Sequence, residues 1–386
     1  VEEWAGLRGA SLPEVGEAVM GKWFGEEIPA EALRSISAEA QHFPIPLKQV
    51  GEFKILELFH GPTMAFKDVA AQNLSRLMSH FLQSRDEKVT LLVATSGDTG
   101  GAIAHGFSDI ENIEVYVLFP KGRVSALQEE QLTRVAPNVH PLEIDGVFDD
   151  CQAMVKQAFN DPDLAGLNLT SANSISIGRL IPQIIYYVAA YAELARLDIE
   201  FVVPSGNFGN LTGGLFAREM GLPFGSFIAA TNQNDAAVRY YQTGEYAPRQ
   251  TVQTLSNAMD VGNPSNFVRV LALFGHDYGA FKKVLQAYRV SDKETVETMR
   301  RVYDEHGYVL DPHTAVGWLT AERHANKEME TVLVATASPV KFAGEIGEKA
   351  GIVVEDAGAI EALRAREKRK VVLGGEYAAV KEILLG

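Results

Sequence analysis

The sequence predicts an α/β protein built on mainly parallel sheets. Short apolar runs, which are typical of buried strands, alternate along the chain with amphipathic runs that have helical spacing. The strand-like runs include residues 89–95, 114–119, 200–203, 226–231 and 331–336. The first, third and fifth runs each lead into a loop of small residues and then a helix, which is the order of a parallel βα unit. Ligands of such folds gather at the C-terminal ends of strands, so these three loops are the first candidates for a functional site.

Length and composition limit the possible classes of protein. The 386 residues are enough for two domains, and the apolar content of 46% is enough for a large core. The balance of 35 basic and 50 acidic residues gives a net charge of −15, which weighs against nucleic-acid binding and leaves an anionic ligand to local donors. The single cysteine, Cys151, excludes an intrachain disulfide and a cysteine-based metal cluster, and the histidines show no metal spacing. No membrane span or signal peptide is recognisable, so we expect a cytoplasmic protein without a membrane or protein partner.

The stretch around Lys67 predicts a lysine at the start of a buried helix face. Residues 54–59 are expected to form a strand, followed by a Gly-Pro turn and a helix from about residue 65 to residue 82. The apolar stripe of that helix has residues three and four apart, namely Ala70, Leu74, Leu77 and Phe81. Lys67 precedes this stripe by three residues and therefore falls on the same face, in the first helical turn.

A lysine at this place favours covalent chemistry with a carbonyl group. The N-terminal end of a helix carries partial positive charge, and burial disfavours a charged ammonium group, so both effects favour the neutral amine of Lys67. A neutral buried amine is what Schiff-base formation requires. A lysine that extends from the helix start into solvent is an equally open interpretation.

The other candidate loops contain small residues and hydroxyl groups. Residues 95–101 (TSGDTGG) predict either an anion site of backbone N–H groups or a helix entry capped by Ser96 or Asp98. Residues 204–214 contain four glycines, which favours a phosphate cradle, although the spacing is not that of a dinucleotide-binding loop. The near match to a P-loop at residues 16–23 lacks the final hydroxyl residue and does not follow a strand. Residues 336–339 (TASP) offer hydroxyls at a strand end, with a structural cap as the default interpretation.

Two further segments carry charge. Residues 171–179 (SANSISIGR) precede an apolar helix, and Arg179 is either a surface residue, which is slightly favoured, or an anion clamp with Ser174. The basic run 364–370 predicts a solvated helix face.

A lysine for a Schiff base, a glycine-rich phosphate cradle and a hydroxyl for a ring nitrogen together describe a site for pyridoxal 5'-phosphate.

Six motifs carry a resemblance to a known family over nearly the whole chain. They are LFHGPTMAFKD (58–68), ATSGDTGGA (94–102), SANSISIGRL (171–180), VPSGNFGNLTGG (203–214), LSNAMDVGNPSN (255–266) and TASPVKF (336–342). In this order the motifs resemble those of the threonine synthases, which are fold-type-II pyridoxal-phosphate enzymes.

The resemblance implies a role for each site residue. It makes Lys67 the Schiff-base lysine and the catalytic base, with Asp98 facing the ring hydroxyl of the cofactor and Thr336 facing its pyridine nitrogen. The implied cradle of the cofactor phosphate consists of Gly206, Asn207, Phe208, Gly209 and Asn210. The implied loop for the substrate carboxylate and phosphate contains Ser96, Gly97 and Thr99. The implied contacts of the substrate phosphate are Asn173, Ser174, Arg179 and Asn207.

The resemblance also implies a fold and a reaction. The expected fold is like that of the tryptophan synthase β chain, with two mainly parallel sheets flanked by helices and the cofactor between two domains. The large domain is expected to comprise residues 1–67 and 173–386, and the small domain residues 68–172. The implied reaction converts O-phospho-L-homoserine and water to L-threonine and phosphate, by γ-elimination followed by β-addition of water.

Two departures from the family pattern leave alternatives open. Ser338 stands where relatives usually have histidine, and relatives carry some tens of residues before the point at which this sequence starts. From that second difference we expect no control by S-adenosylmethionine of the kind that plant relatives show. A serine or threonine dehydratase and a non-catalytic paralogue that binds the cofactor remain alternatives. The phosphate contacts that the resemblance implies at Arg179, Ser174 and Thr99 weigh against a dehydratase.

Overall fold

The computed structural model describes residues 2–83, 85, 87–196, 198–355 and 358–386. Its strands, numbered along the chain, are β1 (Leu47–Val50), β2 (Phe53–Glu57), β3 (Val89–Ala94), β4 (Ile113–Pro120), β5 (Val139–Ile144), β6 (Leu169–Thr170), β7 (Ile199–Pro204), β8 (Phe224–Thr231), β9 (Leu285–Arg289), β10 (Glu330–Ala335) and β11 (Val371–Leu373).

The α-helices are numbered in the same way. They are α1 (Glu2–Ala5), α2 (Leu12–Phe24), α3 (Ala30–Ala40), α4 (Lys67–Gln83), α5 (Asp98–Gly106), α6 (Ala126–Thr133), α7 (Phe148–Phe159), α8 (Ile177–Leu180), α9 (Ile184–Leu194), α10 (Gly209–Glu219), α11 (Ala236–Thr243), α12 (Phe267–Leu273), α13 (Tyr278–Val284), α14 (Asp292–His306), α15 (Pro312–His324), α16 (Ala343–Ala350), α17 (Ala359–Arg364) and α18 (Tyr377–Leu385). Short 3₁₀ helices lie at Pro162–Leu167, Ile181–Gln183, Asn257–Met259 and Pro339–Phe342.

The first compact unit comprises Val1–Phe66 and Leu180–Glu355. Its sheet has the strand order β1-β2-β10-β7-β8-β9, and every neighbouring pair is parallel except β1 with β2. All six residues of β7 are buried, as expected for a strand of a parallel sheet that is covered on both faces. The crossover helix α15 packs Trp318 into the same core as Val202 and Leu333.

The second compact unit comprises Lys67–Arg179 and Asp356–Gly386. Its sheet has the order β11-β5-β4-β3-β6, and all its pairs are parallel. One core cluster packs Leu74 of α4 against Val93 of β3, and another packs Val380 and Leu384 of α18 with Cys151 of α7. The C-terminal residues belong to this unit because α18 and β11 complete its core and its sheet.

The structure confirms the predicted fold class, since both sheets are mainly parallel and flanked by helices. The five predicted strand runs correspond to β3, β4, β7, β8 and β10. The near match to a P-loop lies inside helix α2, where no phosphate loop exists. The division into domains at residues 67 and 173 stays a prediction; the compact units divide at almost the same places but group residues 356–386 with the second unit.

The prediction for the basic run 364–370 is wrong in its secondary structure. Helix α17 ends at Arg364, and the rest of the run is a turn followed by irregular chain that leads into β11. Its side chains bind acidic residues: Lys368 lies 2.8 Å from Glu129, and Lys370 lies 3.0 Å from Glu143. The sequence showed the charges but not their partners, which lie more than 200 positions earlier.

Among the described residues, no helix combines the length and the apolar character needed to cross a bilayer.

Candidate active site

The segment after β10 holds the loop that leads into Lys67. The N–H of Phe66 donates to the carbonyl of Thr336 at 2.9 Å, and the N–H of Ser338 donates to the carbonyl of Met64 at 3.0 Å. Met64 has a φ of 56°, a left-handed conformation that is uncommon for a residue with a side chain. The turn before Lys67 is therefore fixed by backbone hydrogen bonds that act across the end of the sheet.

A lysine that the sequence analysis did not single out supports the same loop. Lys341 is only 5% exposed, and its Nζ donates to the carbonyl of Thr63 at 2.8 Å. A buried ammonium group normally has strong acceptors, and here one of them is the loop backbone. The signal in the sequence was its place in the motif at 336–342, although nothing local distinguishes it from a surface lysine.

Lys67 lies in the first turn of α4, as the apolar stripe predicted, although the helix begins at Lys67 and not at residue 65. Its side chain is 14% exposed. Its Nζ lies 3.5 Å from Oδ2 of Asp98, so the amine has a carboxylate partner. This carboxylate lies 31 positions after the lysine, so the local sequence around Lys67 did not predict it. The pair is half-buried, and both residues belong to the second unit.

The loop between β3 and α5 is shaped by Thr95 and by glycine. The Oγ1 of Thr95 accepts hydrogen bonds from the N–H groups of Gly97, at 3.0 Å, and Gly100, at 2.8 Å. Helix α5 begins at Asp98, and its N-cap is Gly97 with a φ of 141°. The interpretation of Ser96 or Asp98 as the cap of this helix is therefore wrong. Position 97 requires glycine because only glycine adopts this conformation without strain. Asp98 is instead directed to Lys67.

The glycine-rich loop after β7 turns sharply into α10. Phe208 is the N-cap with a φ of 62°, and its ring is buried 5.2 Å from the ring of Phe267. A Cβ on Gly206 would lie 2.6 Å from the Cα of Met259, so a neighbouring backbone leaves no room for a side chain there. Phe208 is thus a core residue, and only its backbone can face a ligand.

Two asparagines of this loop brace it. The Oδ1 of Asn207 accepts from both the N–H and the hydroxyl of Ser265, each at 2.9 Å. The Nδ2 of Asn210 donates to the carbonyl of Pro204 at 3.0 Å. The first N–H groups of a helix have no intrahelical acceptor, so the start of α10 at Gly209 offers donors to an anion. The arrangement suits a phosphate cradle made of backbone.

Thr336 and Ser338 differ in what their hydroxyls do. Thr336 follows β10 directly and is 7% exposed, and within the described part of the chain its hydroxyl makes no side-chain hydrogen bond. The Oγ of Ser338 accepts from the N–H of Val340 at 3.3 Å and so caps the next 3₁₀ turn. Of the two, Thr336 has the hydroxyl that a ligand can use.

Arg179 is buried, so the slightly favoured surface interpretation is wrong. The residue is 3% exposed, and its Nη1 donates to the carbonyl of Ala172 at 3.0 Å. Burial lowers the pKa of Arg179 to about 10, which still leaves the guanidinium charged at neutral pH. Ser174 on the connecting loop is half-buried, and Asn173 is exposed. A buried cation close to a polar loop is a suitable anion site.

The predicted site residues fall into two sets. The second unit carries Lys67, Ser96, Gly97, Asp98, Thr99, Asn173, Ser174 and Arg179. The first unit carries Gly206, Asn207, Phe208, Gly209, Asn210 and Thr336. Within the sets, the structure brings Lys67 to Asp98 and assembles the turn at 206–210.

Each of the two sets contains groups of a kind that pyridoxal phosphate requires. The lysine amine suits the aldehyde, the crowded glycine turn suits the phosphate, and the hydroxyl of Thr336 suits the pyridine nitrogen. Groups of three or more side chains suited to a metal ion do not occur among the described residues.

Comparisons with known proteins point to one family of enzymes. Residues 47–338 match the family model of pyridoxal-phosphate dependent enzymes, and residues 314–384 match the model of the threonine synthase C-terminal region. The threonine synthase of Serratia marcescens is 44% identical over 329 residues, which are 84% of this chain and 76% of that protein. This chain belongs to the threonine synthase family. It is therefore a pyridoxal-phosphate-dependent enzyme.

Solved threonine synthases have the same fold. The enzyme of Brucella melitensis, with bound pyridoxal phosphate, superposes with a TM-score of 0.94 at 38% identity, over 99% of this chain and 90% of that one. The Escherichia coli enzyme superposes with a TM-score of 0.89 at 38% identity, over 100% of this chain and 90% of that one. A threonine deaminase of Solanum lycopersicum gives 0.62 at 16% identity, which shows a shared fold only.

Proposed function

We propose that this member of the threonine synthase family converts O-phospho-L-homoserine and water to L-threonine and phosphate. The reaction removes phosphate from Cγ and adds water at Cβ. The observation that carries the proposal is the buried guanidinium of Arg179, next to the loop of Ser174. A buried charged donor is suited to a phosphate group, and free serine and threonine carry no phosphate.

Lys67 has two tasks in this proposal. It binds the cofactor covalently through Nζ and, once released, it accepts the proton from Cα of the substrate. Bound pyridoxal phosphate supplies the electron withdrawal that makes this proton acidic. Asp98, 3.5 Å from the amine, orients Nζ and compensates its charge while the proton is held.

The other residues bind and orient the substrate. Arg179, Ser174, Asn173 and Asn207 hold the substrate phosphate. The loop before α5, which contains Ser96, Gly97 and Thr99, holds the substrate carboxylate and phosphate at the start of a helix. A substrate fixed at both ends keeps its Cα and Cβ hydrogens in reach of one base, which lowers the entropic cost of each proton transfer.

Thr336 adjusts the cofactor rather than the substrate. Its neutral hydroxyl would donate a hydrogen bond to the pyridine nitrogen of bound cofactor but, unlike a carboxylate, would not hold that nitrogen protonated, so the cofactor would supply moderate electron withdrawal. This favours a series of local proton transfers, which γ-elimination followed by hydration requires.

A dehydratase of the same fold is the alternative, and it predicts a different result in the same assay. Purified protein loaded with pyridoxal phosphate is given O-phosphohomoserine, serine or threonine, and phosphate, ammonia and amino-acid products are measured. We expect stoichiometric phosphate and threonine from phosphohomoserine, with no product from Lys67→Ala. Ammonia from serine or threonine without phosphate release from phosphohomoserine would support the dehydratase. Cofactor binding without any turnover would support the non-catalytic paralogue.

The remaining features of the proposal are organisational. The large domain comprises residues 1–67 and 173–386, the small domain residues 68–172, and the enzyme acts in the cytoplasm on a small metabolite. Limited proteolysis that releases a stable fragment of other bounds would contradict the division.

A further inference from the structure

We propose that Gln128, in the first turn of α6, is a positioning residue that sets the orientation and proton affinity of Asp98. The proposal rests on the proposed function, which gives Asp98 its place beside Lys67 and the cofactor. Gln128 belongs to none of the six motifs, and it lies 30 positions after Asp98. The Nε2 of Gln128 donates to Oδ1 of Asp98 at 3.0 Å, while Oδ2 of the same carboxylate faces Nζ of Lys67 at 3.5 Å.

The orientation of the Gln128 amide follows from its hydrogen bonds. Its Oε1 accepts from the N–H of Ser125 at 3.0 Å, and a backbone N–H can only donate. The other end of the amide must then be the NH₂ group, which meets a carboxylate that can only accept when ionised. The N–H of Gln128 in turn donates to Oγ of Ser125 at 3.2 Å, which completes a capping box. One side chain thus caps α6 and donates to Asp98.

Glycine at position 97 leaves the space that Gln128 occupies. A Cβ on Gly97 would lie between 2.4 and 2.6 Å from the amide atoms of Gln128, so the two residues are packed without free space. The φ of 141° at Gly97 is also the conformation that turns the chain into Asp98. The loop and the glutamine are therefore fitted to each other, and Gln128 has little freedom to leave Asp98.

The helix that carries Gln128 is itself held in place. The C-terminal segment pairs Lys368 with Glu129 at 2.8 Å, and the N–H of Arg369 donates to the carbonyl of Thr133 at 2.7 Å. Both contacts lie within the second unit, as do Asp98 and Lys67. A donor on an anchored helix keeps one geometry, which is what a positioning residue needs.

Loss of this donor should change the proton affinity of the site. A hydrogen bond to a carboxylate stabilises its charged form, so its removal raises the affinity of Asp98 and its neighbours for protons. Charge-assisted bonds of this kind correspond to about one pH unit of displacement or more. The visible absorbance of the bound cofactor reports protonation next to Asp98, and it is measured without substrate.

The test compares Gln128→Met and Gln128→Glu with Ser125→Ala. Methionine keeps the size but removes the amide; glutamate keeps an acceptor for Ser125 but places a second carboxylate against Asp98. Ser125→Ala removes only the hydroxyl of the capping box and leaves the amide in place. The measurement is the pH titration of the visible absorbance of each holoenzyme, with thermal unfolding as the record of folding.

We expect the titration midpoint to move to higher pH by about one unit in both Gln128 variants and to stay unchanged in Ser125→Ala. In an Asp98→Asn background, Gln128→Met should no longer move the midpoint. Unmoved midpoints in folded Gln128 variants, or an equal shift in Ser125→Ala, would overturn the proposal. Failure of the proposed function would appear separately, as wild-type enzyme that titrates normally but releases no phosphate from phosphohomoserine.

Discussion

The N–H of Ser338 donates to the carbonyl of Met64 at 3.0 Å, and Met64 is the left-handed residue of the turn before Lys67. The segment after β10 thus has two functions. It presents the hydroxyl of Thr336, and it stabilises the backbone conformation of the lysine loop. Because the contact is made by backbone, the turn does not depend on the side chain at position 338.

Thr336 and Ser338 should therefore respond differently to mutation. Thr336→Val removes the hydroxyl assigned to the pyridine nitrogen, so cofactor binding should weaken by about 0.5–1.5 kcal/mol and turnover should slow. Ser338→Ala removes only the cap on Val340 and should have a smaller effect. Titration of pyridoxal phosphate into both variants, with threonine formation measured, decides between them. Greater damage from Ser338→Ala would mean that Ser338 faces the ring.

The glycine turn gives a second comparison. A Cβ on Gly206 would lie 2.6 Å from the Cα of Met259, whereas the nearest atom to a Cβ on Gly209 is 3.5 Å away. Alanine at position 206 must displace this backbone, which costs about 1–3 kcal/mol. The dissociation constant of the Gly206→Ala variant for the cofactor should therefore rise about 5- to 100-fold. Gly209→Ala should have a clearly smaller effect. Equal affinities of the two variants in a fluorescence titration would show that the turn does not form the cradle.

Arg179 is the residue that separates the proposed reaction from dehydration. Arg179→Met should lower kcat/KM for phosphohomoserine by about 10- to 100-fold, the equivalent of a lost charged hydrogen bond, with little change in cofactor affinity. The exposed Arg85 provides the matched control, and Arg85→Met should be like wild type. Inorganic phosphate should protect wild type against thermal unfolding but not Arg179→Met. Full activity of Arg179→Met would return the dehydratase to consideration.

Much of the fold follows from the sequence because buried parallel strands are continuous apolar runs. β3 and β7 are of this kind, and their helices follow at once. β5 is harder to recognise, since it contains Pro141. The structure explains the proline: β11 pairs only with residues 142–144 of β5, so Pro141 lies beyond the paired part of that edge.

The kinds of group at the candidate site could be proposed from the sequence, but their contacts could not. The position of Lys67 on α4 could be derived from helical spacing, and the glycine turn from composition. The burial of Arg179 and the contact of Gln128 with Asp98 depend on chain segments that are distant in sequence. No local pattern specifies such contacts, because they arise only when the helices pack.

Cys151 gives a prediction about pH and reactivity. Burial, with a smaller effect of Asp150, raises the pKa of its thiol to about 11 from 9. Because the pKa of the thiol is higher in the folded than in the unfolded protein, the thiol is neutral in both below about pH 9. Between about pH 9 and 11 the unfolded chain loses this proton first, so the contribution of the thiol to folding stability is lost over that range. At pH 8 the native enzyme should resist iodoacetamide and keep its activity, while denatured protein takes up one label. Rapid labelling of native protein, seen by mass spectrometry, would contradict the burial of Cys151.

The most direct test of the whole account is the visible spectrum of Lys67→Ala. The wild-type enzyme, purified with pyridoxal phosphate, should show the absorbance of a cofactor bound covalently to an amine. Borohydride reduction should abolish this absorbance and leave the reduced cofactor attached to Lys67. Lys67→Ala should keep the fold and bind the cofactor without this absorbance, and it should form no threonine from phosphohomoserine. The same visible band in Lys67→Ala with no amine added, or threonine formation at the wild-type rate, would contradict the central role of Lys67.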